Sequence, residues 1–212
     1  IAIVLALLFN EVRSARYRKF VQTVSYAPHF ISTVVVCGMI SMFLSPSLGV
    51  VNKIINLFGH ESVAFLQSPT MFKWIYTLTG IWQGVGWSSI IYFAALSSVD
   101  KSLLEAAEVD GATRFQRIVH ISLPTIIPTI VTTFILECGS VLGVGYEKAY
   151  LLQNDLNLAG SEIISTYTYK VGLEQTDFSY STAVGLFNSV VNCIVLIIAN
   201  RLSRKVTEEG LF

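Results

Sequence analysis

Charged residues are scarce in this chain. Only 13% of its 212 residues are Asp, Glu, Lys or Arg, whereas 53% are hydrophobic, and the mean hydropathy is +0.62. An ordinary soluble domain carries about twice that share of charge, because it needs a polar outer shell. A bilayer supplies an apolar solvent and removes that need. The composition therefore favours a membrane protein.

Several signatures of other protein classes are missing. Lys and Arg together number 14, as do Asp and Glu, so there is no basic excess of the kind that binds nucleic acid. Neither Gly-Lys-Ser nor Gly-Lys-Thr occurs, which excludes a phosphate-binding loop of the Walker type. The cysteines and histidines are widely separated and predict no disulfide framework and no metal site. We therefore predict no catalytic residue in this chain.

What the chain has instead is a set of long apolar runs. Four of them, 28–46, 72–96, 124–142 and 181–199, are long enough to cross a hydrocarbon core of roughly 30 Å. The run before Asn10 is too short, and we interpret it as a truncated first helix; a signal peptide is the alternative, but its positive region and cleavage site are missing. The predicted fold is an all-α polytopic transmembrane bundle of five helices.

The distribution of Lys and Arg predicts the orientation in the membrane, because short cytoplasmic loops carry the excess. Ten of the 14 fall on one side of the predicted bundle and four on the other. The larger group contains Arg13, Arg16, Arg18, Lys19, Lys101, Arg114, Arg117, Arg201, Arg204 and Lys205, and the smaller contains Lys53, Lys73, Lys148 and Lys170. The carboxyl terminus and the loop 97–123 are therefore predicted to be cytoplasmic, and 143–180 to lie outside.

The cytoplasmic loop carries the sequence EAAEVDGATRFQRIVHISLP. Asp100 is placed to cap a short helix, and Asp110-Gly111 supplies a turn in which glycine tolerates a left-handed backbone. Thr113 and Gln116 have capping-box spacing at the start of a second short helix. The residues alone predict two short helices joined by a tight turn.

The order of residues in this loop is Glu-Ala-Ala, three residues, Gly, nine residues and Ile-x-Leu-Pro. It resembles the EAA loop of permease subunits in binding-protein-dependent ABC importers. The matching positions, with the aspartate that precedes the glycine, are Glu105, Ala106, Ala107, Asp110, Gly111, Ile121, Leu123 and Pro124. An amphipathic linker on the membrane surface is the alternative, but the mixed charges do not favour it. We name residues 100–124 the EAA segment.

The resemblance implies what the loop does. In that family the loop docks in a groove of an ATPase subunit, so that closure of the ATPase moves the membrane helices. It also implies the partners: a second permease, two ATPase subunits that bind the ATP, an extracytoplasmic solute-binding protein and the lipid bilayer. Residues 1–212 as a whole are similar to the transmembrane domain of these importers.

Other stretches resemble the sugar-transporting branch of the family. They are FVQTVSYAPHFIS, GWSSIIYFAALSSVD and ANRLSRKVTEEGLF. The resemblance implies an oligosaccharide as cargo. A peptide, an amino acid or an ion is the alternative, since importers of those solutes share the EAA loop.

Candidate pathway residues are polar or aromatic groups inside the predicted spans, where polar groups toward lipid are costly. Asn188 and Asn192 share a face of the last span with Ser181, and their amides are able to bind sugar hydroxyls. Gln83 and Trp87 lie in the span 72–96, and an indole face is able to stack on a sugar ring. The alternatives are helix packing for the polar residues and interfacial anchoring for the tryptophan.

The predicted outer loop 143–180 is too long for a simple turn and is rich in tyrosine. The resemblance implies that it contacts the solute-binding protein. A helix that starts near Ser161 and lies among lipid headgroups is the other interpretation. We name residues 143–180 the tyrosine-rich segment.

Overall fold

The computed structural model describes residues 1–143, 145–207 and 210, and every regular element in this part of the chain is a helix. The prediction of an all-α fold is confirmed. The α-helices are α1 (Ala2–Glu11), α2 (Ala15–Tyr26), α3 (Thr33–Phe43), α4 (Val50–Leu57), α5 (Pro69–Leu96), α6 (Lys101–Val109), α7 (Arg114–Arg117), α8 (Leu123–Thr125), α9 (Ile127–Cys138), α10 (Tyr146–Leu152), α11 (Leu158–Ser161), α12 (Ile164–Tyr169) and α13 (Phe178–Thr207).

Membrane-crossing length is reached in two ways. Within the described ranges, the helical stretch Phe178–Lys205 is by itself long and apolar enough to cross a bilayer. Two bent pairs raise the number of candidate spans to three: Ala15–Phe30 with Thr33–Phe43, bent by 95°, and Arg114–Thr125 with Ile127–Cys138, bent by 59°. The helix α5 has 28 residues and is long enough to cross a bilayer. Its Trp, Gln, Gly and Ser residues lower its hydropathy, so it is not among these candidate spans.

The predicted runs differ from the observed helices where proline is present. The run 28–46 begins in a 3₁₀ turn around Pro28, and its helix ends at Phe43. The run 124–142 is broken at Ile126, which separates α8 from α9. Pro128 lies two residues farther on, and a proline has no N–H to donate to the preceding turn. Hydropathy predicts where a run lies, but it does not register these breaks.

The chain divides into two compact units, each with its own core. Unit 1 contains Ile1–His29, Trp82–Gly139 and Asn192–Phe212, and unit 2 contains Phe30–Ile81 and Ser140–Val191. The core of unit 1 is formed by Ala6, Leu96 and Ile126. The core of unit 2 is formed by Val36, Cys37, Ile40, Phe72 and Leu152. Helices α3 and α10 pack against each other within unit 2.

The apolar face of α13 is left exposed by the rest of the chain. Leu186 is 67% exposed, Phe187 64% and Ile198 52%. Only 6% of the most apolar window of this helix is buried. A helix that is apolar and unburied needs lipid or another subunit around it, so α13 has the character of a membrane helix.

Candidate coupling segment and translocation residues

The first helix of the EAA segment begins at a capping aspartate. Asp100 accepts a hydrogen bond from the main-chain N–H of Ser102 at 2.8 Å, as the sequence predicts for an N-cap. The same hydrogen bond lowers the pKa of the Asp100 carboxyl below its usual value, because it stabilises the charged form. This cap fixes the position at which α6 starts.

A left-handed glycine ends that helix. Gly111 has φ +81°, its N–H donates to the carbonyl of Glu108 at 3.1 Å, and the N–H of Ala112 donates to the carbonyl of Ala107 at 2.9 Å. This pair of hydrogen bonds is the Schellman ending of a helix. No atom lies within 4 Å of the position that a Cβ would take. Glycine is therefore required by the backbone angle and not by a lack of space.

A capping box starts the second helix. The main-chain N–H of Gln116 donates to Thr113 Oγ1 at 3.3 Å, and the N–H of Thr113 donates to Gln116 Oε1 at 2.8 Å. The helix α7 then passes into a π-helical turn over Ile118–Ser122, which the sequence did not predict. Arg117 Nη1 lies 2.6 Å from Glu108 Oε2. This ion pair joins α6 and α7 across the glycine turn.

The predicted residues of the EAA segment divide into three environments. Ala107, Asp110, Gly111 and Ile121 line one cavity of about 340 Å³. Glu105 and Ala106 are exposed on α6. Leu123 packs against the core of unit 1, and Pro124 is exposed in α8.

Large apolar side chains also lie on the surface of this segment. Val109 is 89% exposed, Phe115 74% and Leu103 55%. An ordinary solvated loop does not gather large apolar groups of this kind in one short stretch. The segment therefore presents an apolar surface around a turn whose backbone is already ordered.

The candidate pathway residues on α5 have different surroundings. The rings of Trp87 and His29 are stacked, with centroids 4.5 Å apart and planes 5° from parallel, and Trp87 stays half-exposed. Gln83 is half-buried. Farther along the same helix, a Cβ at Gly86 would overlap the main chain of Ser25. Close helix packing accounts for Gly86, whereas Trp87 is 47% exposed.

The candidates on α13 also differ from one another. Ser181 Oγ donates to the main-chain oxygen of Thr168 at 2.9 Å, so this residue holds the fold of unit 2. Asn188 Oδ1 is buried and has no hydrogen-bond partner among the described residues. Asn192, half-buried, lies one turn farther along the helix. Buried polar atoms are normally satisfied, so the amide oxygen of Asn188 is available to accept a hydrogen bond from a further donor.

The tyrosine-rich segment contains a cluster that sequence reasoning did not resolve. Tyr146, Tyr150 and Tyr169 lie with ring centroids 5.0 to 5.7 Å apart. Burial and the neighbouring Tyr169 raise the pKa of Tyr146 to about 12. Tyr150 donates to Glu174 Oε1 at 3.0 Å, and this hydrogen bond raises its pKa. The only sequence signal for this cluster was the tyrosine content of the segment.

The helix predicted to start near Ser161 is wrong in its boundary. Ser161 ends α11, and the following helix α12 begins at Ile164. The Ser161 hydroxyl donates to Asn157 Oδ1 at 2.8 Å and accepts from Gln153 Nε2 at 3.1 Å. Ser161 therefore belongs to a buried polar network. A periodicity argument does not detect such a network.

Lys148 was predicted only as a basic residue of a loop. In the structure it is 7% exposed and lies in α10. Its Nζ donates to the main-chain oxygen of Tyr76 at 3.3 Å. Within the described ranges no group of three or more His, Cys, Asp and Glu residues is arranged to hold a metal ion.

These features are those of a helical membrane protein, and the family comparison identifies its family. Residues 1–208 match the family described as binding-protein-dependent transport system inner membrane component, and the chain belongs to that family. It is 47% identical over 212 residues to the polygalacturonan/rhamnogalacturonan transport system permease protein YteP of Bacillus subtilis, covering 100% of this chain and 66% of that protein. It is 44% identical to Protein LplB of the same organism, over 99% of this chain and 66% of that protein.

Two solved structures share the fold. One is a bacterial alginate ABC transporter in complex with an alginate pentasaccharide-bound periplasmic protein, with a TM-score of 0.95 and 45% identity over 99% of this chain and 73% of that chain. The other is a bacterial ABC transporter involved in the import of the acidic polysaccharide alginate, with a TM-score of 0.94 over 97% of this chain and 72% of that chain. The present chain spans about two thirds, 66%, of the length of the two Bacillus relatives.

Proposed function

We propose that this chain is the membrane-spanning permease subunit of an ATP-driven importer that moves an oligosaccharide. The observation that carries the proposal is the EAA segment: an ordered helix–turn–helix with a left-handed Gly111 and an exposed apolar surface. Membership of the family supports it, as do the relatives whose names specify polygalacturonan, rhamnogalacturonan and alginate. These supports favour a sugar over a peptide, an amino acid or an ion.

In this proposal the EAA segment docks on an ATPase subunit, and the chain itself hydrolyses nothing. The small side chains of Ala106 and Ala107 allow a partner helix or groove to approach α6 closely. Glu105 is exposed and is able to accept charge-assisted hydrogen bonds from the partner. Val109 and Phe115 supply the apolar area that such a docking surface buries.

The importer contains more than this chain. We propose that two ATPase subunits, a second permease and an extracytoplasmic solute-binding protein complete it. The tyrosine-rich segment is the surface proposed for the binding protein. The exposed apolar face of α13 is covered by lipid or by the second permease.

We propose that Gln83, Trp87, Asn188 and Asn192 contribute to the sugar pathway. Two observations support this assignment: the buried Oδ1 of Asn188, which has no hydrogen-bond partner among the described residues, and the partial exposure of Trp87. An amide oxygen in need of a donor is suited to a sugar hydroxyl, and an indole is suited to a sugar face. Replacing Asn188 with Leu should raise the sugar concentration that half-saturates transport while the complex still assembles.

The carboxyl terminus is proposed to be cytoplasmic. Ten of the 14 Lys and Arg residues belong to unit 1, together with the EAA segment and the last helical turns. This is the bias that cytoplasmic loops show. A fluorescent protein fused after Phe212 should fluoresce, and alkaline phosphatase at the same place should be inactive. The reverse result would place the carboxyl terminus outside the cytoplasm and contradict the proposed orientation.

The deciding experiment is co-purification of the full-length protein with its associated subunits, followed by ATPase assays with a panel of oligosaccharides and the candidate binding proteins. Stimulation by one sugar supports both the importer and its cargo. If an ATPase associates but no sugar stimulates it, the assignment as an importer stands and the assignment of a sugar as its cargo is wrong. If no ATPase associates, the assignment of the EAA segment is wrong.

A further inference from the structure

Lys148 is a buried cation with few partners. Only 7% of it is exposed, and its Nζ lies 5.3 Å from the centroid of the Tyr76 ring. An ammonium group carries three donors. Among the residues that the structure describes, the main-chain oxygen of Tyr76 accepts one of them, at 3.3 Å. The other donors have no hydrogen-bond acceptor among those residues.

No carboxylate of the described chain neutralises Lys148. The ion pairs found in residues 1–143, 145–207 and 210 are Arg117 with Glu108 and Lys170 with Glu162. The adjacent Glu147 is exposed and forms no ion pair there. Burial lowers the pKa of the Lys148 ammonium, because desolvation disfavours the charged form, and the neighbouring Cys37 acts in the opposite direction. A buried charge of this kind is stabilised when an anion reaches it.

The approach to Lys148 is open on one side. A Cβ added at Gly80 would lie 3.7 Å from Lys148 Nζ, and it would meet no other side chain or neighbouring element within 4 Å. Gly80 itself is exposed. The ammonium therefore borders a space that a small group is able to enter. Because glycine has no side chain, α5 leaves this space unfilled.

The helix α5, which contributes Tyr76 and Gly80 near Lys148, also carries two of the pathway candidates. Tyr76, Gly80, Gln83 and Trp87 recur at spacings of four, three and four residues along α5. Residues at these spacings lie on one face of an α-helix. Along α5 itself, Tyr76 and Gly80 therefore share a helix face with Gln83 and Trp87.

We propose that Lys148 binds a carboxylate of an acidic oligosaccharide, one that contains uronic acid residues, during its passage. The proposal rests on the proposed function of sugar import. An ammonium and a carboxylate form a charge-assisted hydrogen bond, which is stronger in a buried site than in water. A neutral sugar leaves the cation unpaired, so Lys148 distinguishes acidic cargo from neutral cargo.

The test uses the complete importer, with its second permease, ATPase and binding protein, reconstituted in nanodiscs. ATPase stimulation is titrated with an oligogalacturonide and with its methyl ester, which differs in charge but not in length. Lys148→Met should raise the half-maximal concentration of the acid by about tenfold or more and leave that of the ester unchanged. Lys148→Arg should retain the preference for the acid, and Lys53→Met, at an exposed lysine of α4, should behave as wild type.

Gly80→Asp provides a second variant that does not remove the lysine. The new carboxylate lies beside Nζ and neutralises it from within the chain. It should raise the thermal midpoint of the complex, because the buried charge gains a partner, and abolish the preference for the acid. This variant tests the proposal even if Lys148→Met fails to assemble.

The outcomes separate this proposal from the proposed function. Equal loss of response to the acid and the ester in Lys148→Met, with a lowered thermal midpoint, would show that Lys148 only holds α10 against α5. A wild-type complex that responds to neutral oligosaccharides and not to acidic ones would also overturn the proposal, although sugar import would stand. If the complex responds to no sugar at all, the proposed function of sugar import is itself contradicted.

Discussion

Units 1 and 2 hold their loops in different ways. In the EAA segment of unit 1, the side-chain hydrogen bonds connect residues no more than nine positions apart, the longest being Arg117 to Glu108. In the tyrosine-rich segment of unit 2, Lys148 bonds to Tyr76, 72 positions away, and Asn157 bonds to Leu66, 91 positions away. The EAA segment is held by its neighbours in sequence, whereas the tyrosine-rich segment has local hydrogen bonds and is held by distant parts of its unit as well.

The difference indicates what each loop does. A loop that is ordered by its own caps is preformed, and its surface stays available for a partner. The EAA segment accordingly exposes Val109 and Phe115. A loop bonded to distant main-chain groups is part of the core, and removing such bonds destabilises the fold. The tyrosine-rich segment accordingly buries Lys148 and Asn157, which bond to distant main-chain groups.

The largest effect is expected where a buried amide of unit 2 is removed. Asn52 is 1% exposed; its Nδ2 donates to the carbonyls of Ser45 and Val63, each at 3.0 Å, and its Oδ1 accepts from the N–H of Val63 at 2.8 Å. Asn52→Ala leaves these main-chain groups unsatisfied. We expect a loss of about 3 kcal/mol, measured as a drop of about 10 °C in the thermal midpoint of the purified complex.

Asn56 is the matched control for Asn52. It lies one turn later on α4, and its amide bonds to the side chain of Ser62 at an exposed position. Asn56→Ala should change stability by about 0.5 kcal/mol or less. Equal losses for the two variants would contradict the claim that the loops of unit 2 are held through buried main-chain contacts.

Two glycines with the same backbone allow the units to be compared directly. Gly111 in unit 1 has φ +81° and Gly59 in unit 2 has φ +82°, and neither would meet an atom within 4 Å of an added Cβ. Each also ends a helix with the same pair of main-chain hydrogen bonds. Valine at either position is strained by about 1–2 kcal/mol, so both variants should lose similar stability.

Their functional consequences should differ. Gly111→Val should reduce sugar-stimulated ATP hydrolysis by about tenfold or more, because the turn that places the docking surface is changed. Gly59→Val should leave the stimulated rate close to wild type after correction for the amount of assembled complex. The measurement is stimulated ATPase per copurified ATPase subunit. Normal stimulation in Gly111→Val would falsify the coupling assignment.

Local chemistry explains what the sequence predicted well. Asp100, Gly111 and the pair Thr113 and Gln116 act through main-chain groups at most a few residues away, so their spacing is sufficient to predict the caps and the turn. The all-α class was predictable from the length of the apolar runs, which is also a local property of the sequence. The resemblance of the EAA order then supplied the family, which physical spacing alone does not.

The features that the sequence did not predict depend on distant contacts or on local breaks. The break at Ile126 and the π-helical turn over Ile118–Ser122 interrupt runs that hydropathy reads as continuous. The burial of Lys148 depends on Tyr76, 72 positions away, and nothing near Lys148 in the sequence indicates it. A basic residue in a loop is normally solvated, so composition gave the wrong environment.

The smallest expected effect tests whether the EAA segment acts as a rigid body. The ion pair between Arg117 and Glu108 joins its two helices at 2.6 Å, with 18% and 64% of the side chains exposed. A pair this exposed contributes about 0.5 kcal/mol or less to stability, so Glu108→Gln should leave the thermal midpoint nearly unchanged. We expect about a twofold fall in stimulated ATPase, since the angle between α6 and α7 loses its restraint.

The matched pair in unit 2 is Lys170 with Glu162 at 3.1 Å, and Glu162→Gln should leave the ATPase rate unchanged. A fall of the same size in Glu162→Gln would mean that charge loss itself, and not the restraint on the EAA segment, sets the rate.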